Sequence, residues 1–278
     1  MTVDGLMMNY PLVLPAIMRR AEALYGDKEI VSRLPDKSYH RYTYADMLRR
    51  AKQLAVALQR LGIQPGDRVA TLAWNHYQHL EAYFGIPAFG GVLHTLNLRL
   101  PPQDLIYVAN HAEDRVILVD ESLLPLFQKI RPQLNVEHVV VISNEGNEHE
   151  GTIGYEQLLA SADPSEYREP NLDENQAAAM CYTSGTTGRP KGVVYSHRAI
   201  VMHCFGCLFP DAISLRETDV VTPVVPMFHV NAWGLPFTCT MVGAKQVFPG
   251  PHLDPVSLAE LFQAERVTVT AGVPTIWL

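Results

Sequence analysis

No stretch of this sequence is apolar for long enough to cross a membrane as a helix. The first residues lack the charge and apolar-core order of a secretory signal, since Met7-Met8 and Leu12-Val13-Leu14 are short and isolated. A soluble cytoplasmic protein without stable membrane insertion is therefore expected, with peripheral membrane contact if its substrate carries an alkyl chain. Positive charge is also in short supply. Against 29 Asp and Glu stand 22 Lys and Arg, a formal charge of −7. That balance disfavours broad electrostatic binding to nucleic acid, and no zinc-finger or RNP-like pattern occurs. Cysteine is sparse, with only Cys181, Cys204, Cys207 and Cys239 in 278 residues, which excludes a small disulfide scaffold. Cys204 and Cys207 form a lone CxxC with no second pair to complete a zinc set, so free thiols are expected and no metal ligands are assigned. His76, His79, His94, His111 and His138 share no metal-binding spacing and read as structural.

Apolar residues make up 47% of the chain, enough for a substantial core in one large domain or two ordinary ones. The pattern predicts a helix over 12–24, short strands over 29–32 and 38–42, and a helix capped by Thr43 with Asp46 three positions later. Strands over 68–72, 115–119 and 139–142 alternate with helical segments over 76–89, 101–110 and 122–130. That alternation implies βαβ units and a mostly parallel sheet, hence an α/β fold. Residues 163–174 are rich in Pro and acid and read as a boundary. Beyond it the spacing predicts a helix from His197 to Cys207 capped by Ser196, then an extended segment through Val220-Val221 and Val224-Val225. Further helices are predicted over 234–241 and 255–263, with strands over 244–248 and 267–270.

The densest chemical signal is Tyr182-Thr183-Ser184-Gly185-Thr186-Thr187-Gly188-Arg189-Pro190-Lys191-Gly192. Flanked by apolar runs, it reads as strand, turn, strand. Its hydroxyls and the charges of Arg189 and Lys191 suit the oxygens of a polyphosphate, while its glycines allow close approach. It is not a Walker A loop, because Pro190 precedes Lys191 and Gly192 follows it, nor does it contain a dinucleotide G-x-G-x-x-G.

This segment closely resembles the phosphate loop of the adenylate-forming enzymes, the superfamily of acyl-CoA synthetases, luciferases and peptide-synthetase adenylation domains. Pro226-Met227-Phe228-His229 and Gly272-Val273-Pro274-Thr275 extend the resemblance. Residues 193–198 and 229–233 carry a narrower likeness to medium- and long-chain fatty-acid–CoA ligases. The resemblance implies the N-terminal portion of the adenylate-forming large domain, with flavodoxin-like βαβ sheet subdomains and mostly parallel strands. Residues 1–172 are expected to form the first subdomain with an N-terminal dimerisation segment. Residues 173–278 are expected to carry the phosphate-loop region and part of a second.

The implied chemistry is attack of a fatty-acid carboxylate on the α-phosphorus of ATP, release of pyrophosphate, and transfer of the acyl group from AMP to coenzyme A. Mg²⁺ would balance the phosphate charge. By resemblance, Thr183, Ser184, Gly185, Thr186, Thr187, Gly188 and Lys191 bind the nucleotide, with Lys191, Thr186 and His229 as the catalytic candidates. His229, Val230, Asn231, Trp233, Gly272, Val273, Pro274 and Thr275 are the acid-pocket candidates, and Trp233 is a wall or gate of an acyl tunnel. Motifs expected to contact adenine and ribose and to supply a mobile-domain lysine do not occur in this sequence, so the chain is expected to be a fragment, inactive alone. Ligation of an aryl or other small carboxylate, and a non-catalytic nucleotide-binding or dimer-forming fragment, are the alternative readings. A homodimer through residues 7–33 is expected by the same resemblance.

Overall fold

A computed structural model describes residue 5, residues 7–183 and residues 188–277, without the side chain of Thr275. The chain opens with α1 (Leu14–Tyr25), whose second residue is Pro15, a position where the missing N–H costs no helical hydrogen bond. A hairpin follows, β1 (Glu29–Arg33) and β2 (Tyr39–Thr43), and then α2 (Tyr44–Arg60). Thr43 and Asp46 form the expected reciprocal cap at the start of α2. Next come β3 (Arg68–Leu72), α3 (Tyr77–Ala88), β4 (Val92–Thr95), α4 (Pro102–Ala112), β5 (Asp114–Asp120), α5 (Leu124–Ile130), β6 (His138–Ile142), β7 (Ile153–Gly154) and α6 (Tyr155–Ala160). The second half holds β8 (Ala177–Thr183), β9 (Lys191–Ser196), α7 (His197–Leu208), β10 (Val220–Pro223), α8 (Leu235–Val242), β11 (Lys245–Phe248), α9 (Pro255–Glu265), β12 (Val269–Ala271) and α10 (Pro274–Trp277).

Two sheets result. The larger runs β7-β6-β5-β3-β4-β8-β9, and the smaller β12-β10-β11-β1-β2. Within the larger sheet, β4-β3-β5-β6-β7 is the 2-1-3-4-5 order of a flavodoxin-like fold, all parallel. Only β9, at one edge, runs antiparallel, against β8. The two sheets interleave along the sequence across residue 172: β8 and β9 extend the sheet built from β3–β7, while β1 pairs in parallel with β11 and β2 forms the antiparallel edge of the smaller sheet.

Both faces of the larger sheet are covered along β3–β6, which explains their unbroken apolar runs, whereas the edge strand β9 is exposed over residues 191–194. Along β5, Val116 and Leu118 point into a core shared with α1, α2 and α3, while Ile117 and Val119 point into a second core with α4 and α5. The first core continues through Phe237 of α8 to Val221 and Phe248 of the smaller sheet, so the two sheets share one apolar interior. Every residue of α3 is buried, placing that helix at the centre of the molecule. Among the described residues, no helix is long and apolar enough to cross a membrane.

In an open parallel sheet, connections reverse direction at one crevice beyond the carboxyl ends of the strands, and polar loop residues collect there. Here that crevice lies between β3 and β5. Asp120, the last residue of β5, accepts hydrogen bonds from Trp74 N at 2.8 Å and from His76 Nε2 at 2.7 Å. His76 Nδ1 in turn accepts from His79 N, so the ring caps α3 and its tautomer is fixed.

Candidate active site

The described phosphate-loop candidates, Thr183, Gly188 and Lys191, stand at the loop end of the β8–β9 hairpin. Thr183 and Lys191 are paired opposite one another in the antiparallel register, and both are exposed. Gly188 lies between them in sequence, also exposed, with φ of 138°. Ser184, Gly185, Thr186 and Thr187 lie outside the described residues. Pro190 is buried just before β9.

One pair in from the loop, the hairpin is packed around Tyr182. A methyl group at Gly192 would come within 3.1 Å of the tyrosine ring, so glycine there permits the close cross-strand approach. The Tyr182 hydroxyl lies 2.6 Å from His111 Nδ1 on α4. Burial pushes the phenol up to about 12, so it keeps its proton at neutral pH. The ring of His94, itself bonded to buried Asp114 at 2.8 Å, lies 5.2 Å from that of Tyr182. At the far end of the hairpin, Ser196 accepts from Ala199 N and caps α7, as the sequence predicts. His197 is fully buried and accepts from Leu14 N through Nδ1 at 3.2 Å, tying α1 to the hairpin exit. Burial lowers this imidazole to about 4.

The second part of the site is the segment after β10. Asn75, at the crevice, holds it by three hydrogen bonds: Nδ2 donates to Pro223 O at 2.8 Å and to Val225 O at 3.0 Å, and Oδ1 accepts from Met227 N at 2.8 Å. Tyr83 OH of α3 donates to Met227 O. Phe228 is thereby buried while His229 reaches the surface. The chain then makes a left-handed turn, Val230–Gly234, with φ of 47°, 48°, 50°, 54° and 69°. Four of these residues carry side chains, and the left-handed region costs roughly 1–2 kcal/mol per such residue. Tertiary ties hold the turn. Ala232 N donates to Pro226 O and His229 O. The Cys181 thiol, on β8, donates to Asn231 Oδ1 at 3.0 Å and lies 3.3 Å from Thr95 Oγ1. His203 Nε2 on α7 lies 2.9 Å from Trp233 O and 3.4 Å from Cys207 Sγ, and these contacts, the thiol first, push the imidazole up to about 9. The His203 ring also fills the notch above Gly234, where a methyl group would come within 2.5 Å of it.

Trp233, 45% exposed, stands between two apolar cavities. One, about 360 Å³, lies against α7 and is lined by Tyr195, His203, Val230, Asn231, Trp233 and Phe237. The other, about 370 Å³, is lined on its far side by Ile213, Leu235, Ala271, Gly272 and Trp277. Trp277 packs directly on Gly272 and donates from Nε1 to its carbonyl at 3.2 Å. The end of β12 is bound to the pre-histidine segment, since Val224 N and Val225 N both donate to Ala271 O.

The structure thus joins the phosphate hairpin to the acid-pocket candidates through Cys181 and Asn231, and joins Gly272 to them across the Trp233 cavity. Val273 and Pro274 are exposed beside that cavity, and Thr275 is described only in its backbone. The sequence reading passed over Asn75, His203 and Cys181. Asn75 is the one with a signal: an amide between an apolar strand and a buried helix, at the carboxyl end of a parallel strand. Cys204 and Cys207 are free and buried in α7, as expected.

Comparison with other proteins bears on the family and the fold. Residues 18–278 match the model of the AMP-binding enzyme family. The chain is 55% identical over 274 residues to a long-chain-fatty-acid–CoA ligase of Thermus thermophilus, covering 98% of this chain and 49% of that protein. It is 44% identical over 278 residues to a medium-chain-fatty-acid–CoA ligase of Ectopseudomonas oleovorans, covering 98% and 51% respectively. The fold superposes on the crystal structure of a long-chain-fatty-acid-CoA ligase from Archaeoglobus fulgidus with a TM-score of 0.84 at 22% identity, covering 99% of this chain and 54% of the other. The chain spans about half the length of the curated relatives it matches. With its hairpin, its Pro226–His229 motif and its flavodoxin-like sheet in the arrangement described, the chain belongs to the family of AMP-binding enzymes.

Proposed function

We propose that the protein containing this chain activates a medium- or long-chain fatty acid with ATP and transfers it to coenzyme A. One observation carries this reading: a hairpin ending in an exposed hydroxyl and ammonium is bonded to a turn whose tryptophan walls two apolar cavities. The carboxylate attacks the α-phosphorus of ATP, and the bond to the bridging oxygen breaks as pyrophosphate leaves. The thiol of coenzyme A then attacks the acyl carbonyl, and AMP departs with its phosphate oxygen. Lys191 and Thr183 hold the β- and γ-phosphates and offset the charge that builds on the leaving group. His229, exposed at the edge of the turn, orients the acid carboxylate. It needs no role as a base, because a carboxylic acid is already ionised at neutral pH.

Among the described residues, no three His, Cys, Asp or Glu side chains converge as a metal site. Mg²⁺ would therefore be held mainly through the nucleotide's own oxygens, where it neutralises phosphate charge. The alkyl chain occupies the cavities on either side of Trp233, with Val230 and Gly272 in their walls. We place the enzyme in the cytoplasm, peripheral to membranes when it collects its substrate.

A homodimer forms part of this reading. Val13, Leu14, Ile17 and Met18 are buried in their own chain, whereas Met7, Met8 and Tyr10, ahead of α1, are exposed. Replacing those three by serine should convert a dimeric mass in solution to a monomeric one, and an unchanged mass would remove them from the interface.

The function is tested on the complete protein with a panel of carboxylates. AMP, pyrophosphate and acyl-CoA are expected, with aliphatic acids preferred. ADP with acyl phosphate would sink the mechanism, and a preference for benzoate over dodecanoate would reassign the substrate class.

A further inference from the structure

Helix α4 has a face that the site described so far does not use. Tyr107 and His111 lie one turn apart on it, with ring centroids 5.2 Å apart. His111 Nδ1 is hydrogen-bonded to the hydroxyl of Tyr182, the residue before Thr183, at 2.6 Å. Tyr107 receives the guanidinium of Arg189, which sits 5.0 Å from the ring centroid, two residues before Lys191. One helix face therefore contacts the chain on both sides of the phosphate loop. The two contacts differ in kind. The first is a short hydrogen bond to a ring already clasped by Gly192 and His94, so it fixes position. The second is a cation–π contact at an exposed arginine, which tolerates sliding. Elsewhere the hairpin is supported on one flank only, because β9 is an edge strand. An edge hairpin without a clamp would twist relative to the sheet and move Thr183 and Lys191 with it.

We infer that Tyr107 and His111 are positioning residues for the nucleotide: α4 serves as a platform that fixes both ends of the phosphate loop and so sets the spacing of Thr183 and Lys191. This rests on the ligase reading above. It adds that nucleotide recognition depends on a helix that makes no assigned contact with ATP, and that the dependence leaves the acid pocket untouched, since neither residue lines the Trp233 cavities.

The test uses the complete protein and steady-state kinetics with ATP and dodecanoate varied in turn. Losing one hydrogen bond is worth about 0.5–1.5 kcal/mol. His111→Leu and Tyr182→Phe are accordingly each expected to raise KM for ATP about 3- to 10-fold, leaving KM for dodecanoate within about 2-fold of wild type. His111→Gln keeps an acceptor and should recover most of the loss. The double variant His111→Leu/Tyr182→Phe should be no worse than either single one, because both remove the same bond. Tyr107→Leu should raise KM for ATP by a smaller factor. Tyr182→Phe preserves the ring packing and His111 is exposed, so folding survives in both. Equal changes in both KM values, additive single effects, or no change in any variant would overturn the inference. Wild-type protein without ATP-dependent acyl-CoA synthesis would overturn the ligase reading instead.

Discussion

The two halves of the site are built by opposite means. The phosphate hairpin is regular: two strands in antiparallel register, a glycine that lets a tyrosine lie across it, and a serine cap where the helix begins. The turn at Val230–Gly234 is irregular, with four side-chain-bearing residues in the left-handed region and ties to β8, α7 and the segment before it. The hairpin keeps regular strand geometry and takes its outside support from one face of α4, whereas the turn leaves regular geometry altogether and is held by residues on several elements. Strain of this sort is typical of places where a protein grips a ligand. On the proposed reading, a phosphate chain presents the same oxygens to every such enzyme and a regular cradle suffices for it, while selection of a carboxylate by the body attached to it would fall to the irregular element.

The largest effect that would sharpen this contrast lies on the hairpin. Lys191→Ala should slow adenylation about 100- to 1,000-fold, read by ATP–pyrophosphate exchange in the complete protein, without loss of stability because the side chain is exposed. A folded variant exchanging at the wild-type rate would remove Lys191 from the chemistry. Next, Asn75→Ala should unfold the support of the turn. It leaves two buried carbonyls and one N–H without their partner and is expected to cost about 3 kcal/mol in urea denaturation. A loss below about 1 kcal/mol would mean that the segment holds itself.

The third effect is a pH dependence at the hairpin exit. Burial lowers the folded-state value of His197 from the ordinary 6.5 to about 4. The unfolded chain therefore binds the proton more readily between these values, so stability is complete above pH 6.5 and is lost as pH falls towards 4. The contribution lost by pH 5 is about 2 kcal/mol. His197→Gln, which keeps an acceptor for Leu14 N, should flatten the difference between pH 7 and pH 5, and an unchanged slope would assign the acid sensitivity elsewhere. The smallest effect breaks the contrast from the other side. Val230→Gly removes a β-branched side chain from a φ of 47° and should stabilise the fold by about 1 kcal/mol while blurring chain-length preference. A destabilised variant would show that the left-handed turn stores no strain at that residue.

The same contrast explains what could be read in advance. Parallel strands buried on both faces announce themselves as apolar runs, so β3, β5 and β6 were legible from 68–72, 115–119 and 139–142. The caps at Thr43 and Ser196 were legible because capping is a local hydrogen-bonding rule. Chain order, however, does not disclose that β1 lies beside β11 rather than β3, because that pairing joins residues on opposite sides of the core. The Pro226–His229 motif marked a candidate acid pocket but gave no sign of the shape of the segment that follows it. Asn-Ala-Trp in a left-handed conformation has no local signature, and it depends on Cys181, His203 and Asn75, which carry no information about one another in one dimension. His94 and His111 read as unrelated structural residues for the same reason, although both meet Tyr182.

The placement of β1 in the smaller sheet also has a consequence for synthesis. Val31 pairs with Val247, so the strand leaves the ribosome long before its neighbour exists. At roughly 5–20 residues per second the β1–β2 hairpin waits about 10 to 40 s with one edge unpaired. During that interval the nascent chain exposes a strand edge of the kind that recruits other chains. Chaperone occupancy of the emerging polypeptide should accordingly be highest before β11 appears and fall once it does, so the distance along the chain between β1 and β11 burdens the cell's folding machinery rather than the folded protein.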